Sequence, residues 1–403
     1  MDFENKNILI GVCGGIAAYK VCELVRLFKK TSANVNVIMT KSAQEFINRT
    51  TFQVLSENFV LTDLFEKGKS KGGLEIQHIE LARGADAVII APATANIIAK
   101  LAHGIADDAL STTMLAIKTP VMICPAMNTD MYENLKVQRN LDILVNDGFY
   151  VLEPDFGELA CKVTGPGRLP EPEYIVDRLD WFLSVKDLKD KKVLISAGPT
   201  LEAIDPVRYI SNHSSGKMGY AIAQAAEKRG GTVTLVSGPV CLDPPSNIEM
   251  VNIESCDQMA EKMLGMAKEA DIIIKVAAVA DYKPLNIAKG KIKKKDLKHG
   301  FDLKFEENID ILKTLGEKKR KDQFLVGFAA ETDDLEKNAC LKIKNKNLDM
   351  IVANPIGVAG AGFKEDTNKV HFYFKDGSKE DFPVMAKKDI ADILLDRIIT
   401  EIG

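Results

Sequence analysis

The 403 residues, 46% apolar and 27% charged, have the balance of a soluble globular protein and are long enough for two domains that each bury a core. A net charge of −4 supplies no general attraction to nucleic acid or to an anionic membrane. Seven cysteines, odd in number and without a C-x-x-C pair, argue against a disulfide framework or zinc knuckle and for a reducing compartment.

The opening MDFENKNILIGVCGG has no basic segment leading into an apolar core, and no apolar run approaches ~18 residues, so a cytoplasmic protein is expected. Residues 7–40 then read β-α-β. NILIGVC is a strand, Gly14-Gly15-Ile16-Ala17-Ala18-Tyr19-Lys20 turns into a helix to about Lys30, and VNVIMT is the next strand. That second strand ends at Thr40, not at the acid of a dinucleotide fold, and Thr40 and Ser42 offer hydroxyls to a phosphate. A mononucleotide is the better expectation, although a GG pair also fits an ordinary tight turn. DAVIIAPAT (86–94), helices from about Ala95 and from Asp108 to Lys118, and PVMICPAMN (120–128) continue the alternation, which implies a parallel sheet covered on both faces. Gly14, Thr40, Pro92-Ala93-Thr94 and Pro125-Ala126-Met127-Asn128 all follow strand ends, where such sheets gather ligands. EPDFGELACKVTGPGRLPEP (153–172) reads as a long loop and candidate flap carrying Cys161. A helix over about 172–183 and the charged SVKDLKDKK close a first domain, 1–187.

The second domain, 188–403, opens with KKVLISAGPTLEAIDPVRYISNHSSGKMG: a strand, a loop bearing Gly198, and a helix starting near Ser214-Ser215-Gly216. A strand that feeds a helix N-terminus through such a loop suits a phosphate. Neither a Walker loop nor G-x-G-x-x-G is present. TVTLVSG, IEMVNI, a helix over about 255–269 and DIIIKVAAVADY follow, the last a strand expected to run to Asp281-Tyr282. KGKIKKKDLK (289–298) is by default a solvated lysine face. FLVGFAAET is a strand, Lys342 and Lys346 share one face of the next helix, and LDMIVAN is a further strand. VHFYF-KDGS-KEDFP reads as a hairpin before a C-terminal helix.

Taken in order, GVCGGIAAYK, HIELARGAD, APATANIIAKLAHGIADD, CPAMN and LACKVTGPGRLPEP resemble the flavin-dependent half of a bifunctional family. SAGPTLEAIDPVRYISNHSSGKMG, AAVADYKP, KIKK, VGFAAET and KNLDMIVAN resemble its ligase half. The family is phosphopantothenoylcysteine decarboxylase fused to phosphopantothenate–cysteine ligase, of coenzyme A biosynthesis. The resemblance implies an α/β protein of two Rossmann-like three-layer domains, the N-terminal one a flavodoxin-like flavoprotein. It also implies CTP-dependent joining of L-cysteine to 4′-phosphopantothenate through an acyl-cytidylate, then FMN-dependent decarboxylation to 4′-phosphopantetheine. Implied cofactors are FMN, and Mg²⁺ carried with CTP rather than by a dedicated protein site. Trimeric flavin domains and dimeric ligase domains are implied, with small-molecule substrates and neither nucleic acid nor membrane as partner.

Flavin-contacting positions of the family fall on Gly14, Gly15, Ile16, Thr40, Ser42, Pro92, Thr94, Asn96, Ser111 and Met127. His78 matches its active-site histidine, a group able to exchange protons near neutral pH, and otherwise reads as a helix-start cap. Asn128 matches the holder of the substrate carboxylate: a neutral amide suits a group that must leave as CO₂, while its bland reading is a helix cap. Cys161 matches the proton donor to the enethiolate and otherwise reads as an inert loop thiol. Lys162 and Leu169 stand where the family usually has glycine and methionine. In the ligase half Asn212 matches the residue handling the acyl-cytidylate, and Lys291 the lysine that neutralises triphosphate and carboxylate as they approach. Gly198, Ser215, Asp281, Lys291, Asn308, Phe328, Lys342 and Lys346 match nucleotide-contacting positions, with Ile309 where proline is usual. The other six cysteines read as structural. A regulatory flavoprotein without turnover would lack His78 or Cys161, and both are present. A decarboxylase for peptide C-terminal cysteines would not need the appended ligase half, and a generic Rossmann oxidoreductase would show the missing fingerprint.

Overall fold

The structure, a computed structural model, describes residues 3–65, 77–160, 162–293, 302–331, 334–355, 357, 360, 362 and 364–403. The chain divides into two compact units, Met1–Ser184 and Val185–Gly403.

In the first unit the chain runs β1 (Asn7–Val12), α1 (Ala18–Lys30), β2 (Asn34–Met39), α2 (Arg49–Ser56), β3 (Val60–Leu61), α3 (Gln77–Gly84), β4 (Ala87–Ala93), α4 (Ala95–His103) and α5 (Ala109–Leu115). It continues through β5 (Val121–Pro125), α6 (Thr129–Tyr132), α7 (Leu135–Asn146) and β6 (Tyr150–Val151). The six strands pair in parallel in the order β3-β2-β1-β4-β5-β6. All seven residues of β4 are buried, as a strand must be when helices cover both faces of its sheet. Alternation along β1 sends Ile8, Ile10 and Val12 to one core with α1, and Leu9 to the other with α4 and α5. Helix α1 meets the first core with Val21, Leu24, Val25 and Phe28, one stripe of a 3.6-residue period. The direction of winding reverses between β1 and β4, so their carboxyl ends splay and leave a crevice. Residues 153–172, expected as a loop, instead form a hairpin of β7 (Asp155–Glu158) and β8 (Thr164–Arg168), followed by α8 (Pro172–Leu183).

The second unit contains β9 (Lys192–Ala197), β10 (Leu201–Ala203), β11 (Tyr209–Ser211), α9 (Lys217–Lys228), β12 (Thr232–Ser237), β13 (Glu249–Asn252), α10 (Cys256–Met266) and β14 (Ile272–Lys275). Then follow β15 (Tyr282–Pro284), β16 (Phe305–Glu307), α11 (Ile311–Lys318), β17 (Phe324–Glu331), α12 (Leu335–Asn345) and β18 (Met350–Pro355). The last elements are β19 (Thr367–Asn368), β20 (His371–Phe374), β21 (Lys379–Asp381), β22 (Met385–Ala386) and α13 (Lys387–Ile402). Eight strands order as β13-β12-β9-β14-β17-β18-β20-β21, the first six parallel and the final hairpin antiparallel. The winding thus reverses between β9 and β14 as it does between β1 and β4. Helix α13 covers one face beside α9 with Ile390, Leu394, Leu395 and Ile398. Strand β14 stops at Lys275, six residues before the expected end at Asp281, because most of the backbone groups of 276–281 are taken up by side chains, with one isolated bridge from Ala278 to Pro199 in place of a continued ladder.

Candidate active sites

At the first crevice lies a cavity of about 1080 Å³, at the upper end of what cofactor sites occupy. Gly14, Gly15, Ile16, Thr40, Ser42, Thr94, Asn96, Met127 and Asn128 line it together. Gly14 is required by packing: a Cβ there would lie 2.4 Å from Ser42 Cβ and 2.9 Å from its carbonyl, so the loops after β1 and β2 touch through it. Thr40 Oγ1 accepts from Ala43 N at 3.2 Å and Thr94 Oγ1 from Ile97 N at 3.4 Å, each fixing the start of a helical turn on the cavity wall. Asn128 takes the cap of its bland reading at the edge of the cavity. Its Oδ1 caps α6, accepting from Asp130 N at 2.9 Å, and the residue also borders the cavity. Hairpin β7-β8 closes the far side, where Gly167 at φ +135 lets the strand backbone reach Met127, whose N donates to Gly167 O at 3.0 Å.

Pro92 and Ser111 stand behind the wall instead of in it. Pro92 Cγ backs Gly15, and Ser111 forms a capping box with Asp108, which does line the cavity. His78, half-buried in the first turn of α3, does not line it. Cys161 lies outside the described residues; Leu159 and Ala160 border the cavity, and Lys162 is exposed at φ +63, a conformation that glycine would take more easily. Leu169 fills the core, and its carbonyl accepts from Lys20 Nζ at 3.2 Å.

Sequence reasoning missed two charged groups here. Lys20 ties the hairpin's root to α1 through Leu169 O and Glu171 Oε1 (2.9 Å). Lys100 Nζ sits 2.6 Å from Asp107 Oδ1 and 2.7 Å from Asp108 Oδ2. Burial alone would lower the Lys100 ammonium, but the two carboxylates outweigh it and raise its pKa. Cys13, also on the wall, is pushed up to about 12 by burial and stays a thiol. Both lysines lie in the quoted motifs GVCGGIAAYK and ANIIAKLAHGIADD, the only signal available.

The second crevice is stitched shut. A parallel bridge joins Pro199 to Ala278, with Ala278 N donating to Gly198 O at 2.9 Å. Buried Ser196 Oγ accepts from Val276 N and Ala277 N, both at 3.2 Å, and Thr200 Oγ1 from Ala280 N at 3.1 Å. Asn212 Nδ2 donates to Val279 O at 2.9 Å, and Asn308 Nδ2 to Ala280 O at 2.8 Å. What remains is a cavity of about 130 Å³ at the N-terminus of α9, lined by Gly198, Ser215, Phe328 and the amino groups' owners Lys217 and Lys387. The other expected nucleotide contacts do not line it. Asp281 O accepts from Asn308 N at 2.8 Å, and Lys346, at the end of α12, pairs with Asp310 at 2.7 Å. Lys342 is half-buried in the last turn of α12, and Ile309 is exposed while its carbonyl faces the Cys256 thiol at 3.8 Å. Lys291 lies on the segment after β15 and borders neither cavity. Asn308 Oδ1 is buried without a partner among the described residues, an acceptor that a ligand's N–H would satisfy.

Lys275 was not foreseen. Its ammonium donates to Ala277 O at 2.7 Å, and burial pushes it down to about 8, helped by Lys346 and opposed by Asp310, Cys256 and Asp281. Among the described residues no group of three or more His, Cys, Asp or Glu could hold a metal ion, and no helix is long and apolar enough to cross a membrane.

Comparison with known proteins divides the chain in the same way. Residues 1–184 match the Flavoprotein family and residues 188–402 the DNA/pantothenate metabolism flavoprotein C-terminal domain. The coenzyme A biosynthesis bifunctional protein CoaBC of Bacillus subtilis (strain 168) is 49% identical over 399 residues, 98% of this chain and 97% of that one. Its counterpart in Vibrio vulnificus (strain YJ016) is 44% identical over 398 residues, covering 99% and 98%. A crystal structure of the C-terminal domain of a CoaBC protein, 43% identical, covers 54% of this chain and 97% of its own, with a TM-score of 0.46. With identity of this order sustained across both units, the chain belongs to the family of bifunctional coenzyme A biosynthesis proteins, its first unit a flavoprotein domain.

Proposed function

We propose that the second unit joins L-cysteine to 4′-phosphopantothenate with CTP, through an acyl-cytidylate, and that the first unit decarboxylates the product to 4′-phosphopantetheine. The observation that carries the first half is the single cavity on which eight expected flavin contacts and Asn128 converge. Gly14, Gly15 and Ile16 would hold FMN beside Thr40 and Ser42, whose hydroxyls suit a phosphate monoester. Bound there, FMN supplies reversible two-electron oxidation of the cysteinyl thiol end, which makes loss of CO₂ easy. The Asn128 amide orients the carboxylate without adding a charge that would oppose its departure. His78 keeps the proton-exchanging role that the resemblance implies, although it does not line this cavity, and Cys161 gives a proton to the enethiolate.

In the second unit, α9 has Gly216 as its N-cap and no side-chain cap among the described residues, which suits its first N–H groups to a phosphate. Lys291, Lys342 and Lys346 offset anionic charge as triphosphate and carboxylate meet. Mg²⁺ would arrive with the triphosphate and would supply further neutralisation of its charge, with Lys291, Lys342 and Lys346 as the protein's own cations. The Nδ2 of Asn212 holds the loop carbonyl of Val279, which leaves its role in the acyl-cytidylate step to be exerted by its Oδ1 or through that loop. The protein works in the cytoplasm as a homo-oligomer, trimeric through its flavin domains and dimeric through its ligase domains.

The test is an assay of the full chain with 4′-phosphopantothenate, cysteine and CTP or ATP, following CMP or AMP, CO₂ and flavin absorbance. CMP release that requires both phosphopantothenate and cysteine, with CO₂ only from flavin-loaded protein, is expected. Cys161→Ser should still release CO₂ but yield no 4′-phosphopantetheine; undiminished product would remove the donor role.

A further inference from the structure

Lysine-rich segments are ordinarily solvated, and a free segment cannot place an ammonium reproducibly. The segment that follows β15 and carries Lys291 is held at successive points. Leu285 N donates to Lys304 O at 2.9 Å and Ala288 N to Ile204 O at 3.0 Å. Beside Lys291, both backbone groups of Ile292 are taken: its N–H donates to Asp205 Oδ2 at 3.1 Å and its carbonyl accepts from Arg208 Nη2 at 3.0 Å.

Asp205 and Arg208 form the tip of the β10-β11 ribbon. Asp205 Oδ1 accepts from the N–H groups of Val207 (2.8 Å) and Arg208 (2.9 Å), and Oδ2 accepts from Arg208 Nε (3.0 Å) and Nη2. The turn is already closed by its backbone, Ile204 N to Arg208 O at 2.8 Å, and by Oδ1. Oδ2 and the guanidinium are therefore spent on a residue 87 positions later. Asp205 is 3% exposed, yet its carboxylate is satisfied on both oxygens, and the Arg208 guanidinium holds its carboxyl well below the usual range. At the ribbon's other end Ser211 Oγ donates to Thr200 O at 2.9 Å, and the next residue, Asn212, bonds Val279 O. The ribbon itself packs on β15, from which the lysine segment departs.

We propose that Asp205 and Arg208 are positioning residues for the ligation: they clamp Ile292 and so set Lys291, while the same ribbon seats Asn212. The inference rests on the assignment of Lys291 made above. With the clamp formed, the search for a productive ammonium position shrinks from the whole segment to one side chain, and its loss costs orientation.

The experiment uses the full chain with Lys291→Met, Asp205→Asn, Arg208→Gln, Arg208→Lys and the Asp205→Asn/Arg208→Gln double variant. Arg208 is 44% exposed at its side chain, so its variants keep the fold even if Asp205→Asn does not. Amide hydrogen exchange is read on the peptide containing Ile292, and CMP release gives kcat and KM. Protection of Ile292 in the native chain is expected to vanish in Asp205→Asn and in the double variant, and to fall in the Arg208 variants, which keep the acceptor of its N–H but lose the hold on its carbonyl. kcat for amide formation should fall about 10- to 100-fold, with the KM for cysteine within about twofold. Arg208→Lys, which keeps the charge on Asp205 but not the forked reach to Ile292, should fall with the others. The double variant should be no worse than the poorer single one. Loss in Lys291→Met with native turnover in the Arg208 variants overturns the clamp alone, as does immediate exchange of Ile292 in the native chain. Native turnover by Lys291→Met overturns the reading of Lys291 and the clamp with it.

Discussion

The two units wind their strands alike and treat the resulting crevice in opposite ways. Between β1 and β4 the carboxyl ends diverge around about 1080 Å³ of space. Between β9 and β14 the Pro199–Ala278 bridge and the hydroxyls of Ser196 and Thr200 close the same place, leaving about 130 Å³. An open crevice suits a resident group that is buried once and kept. A closed one leaves only the rim and the closing loop for a ligand to meet.

The sharpest way to break that contrast is a methyl group placed against each loop. In Gly238→Ala the new Cβ would lie 1.7 Å from Pro199 O, so the bridge must give way. Overpacking of backbone should cost the second unit about 3 kcal/mol or more and abolish CMP release, with flavin absorbance retained. Gly14→Ala presses Ser42 at 2.4 Å and should do the reverse, weakening FMN retention about 10- to 100-fold while the ligation persists. Loss of both activities in either variant would show that the crevices are not independent.

A smaller effect separates the units by pH. Lys275 titrates at about 8 in the folded chain against 10.5 when unburied, so between those values the unfolded chain binds more protons. Stability of the second unit should therefore rise from about pH 8 to 10.5 relative to Lys275→Met, read as a steady upward shift of the native urea midpoint against that of the variant. A constant gap would mean that the ammonium is not enclosed. The smallest effect comes from helix caps. Thr94→Ala and Ser255→Ala each remove a side-chain acceptor and should cost about 1 kcal/mol, but only Thr94 borders the open crevice, so only its loss should also loosen FMN.

What the sequence made legible follows from periodicity. The apolar runs of β1, β4, β9 and β17, the Asp-Gly turn between β20 and β21, and the start of α8 at Pro172 all appear where expected. Hairpin β7-β8 did not, because DFGE and TGPGR offer no β-branched alternation and are held by contact with the turn at Met127. AAVAD read as strand because it is apolar, but Ser196, Thr200, Asn212 and Asn308 claim its backbone, and bonds from side chain to backbone leave no period to detect. For the first cavity, residues beyond strand ends converged as topology demands. The ligase positions were harder, since Lys346 meets Asp310, and Asp205 meets Ile292, across chain separations that no local spacing encodes.

The blunt margins of the two main sheets carry a last consequence. One sheet ends in the two-residue strands β3 and β6, and the other in four-residue β13 and in β21, whose residues Lys379, Glu380 and Asp381 are all charged. Neither margin offers a long apolar template on which a stranger's chain could grow by strand addition, so the protein is guarded at these margins against amyloid-like accretion at high concentration.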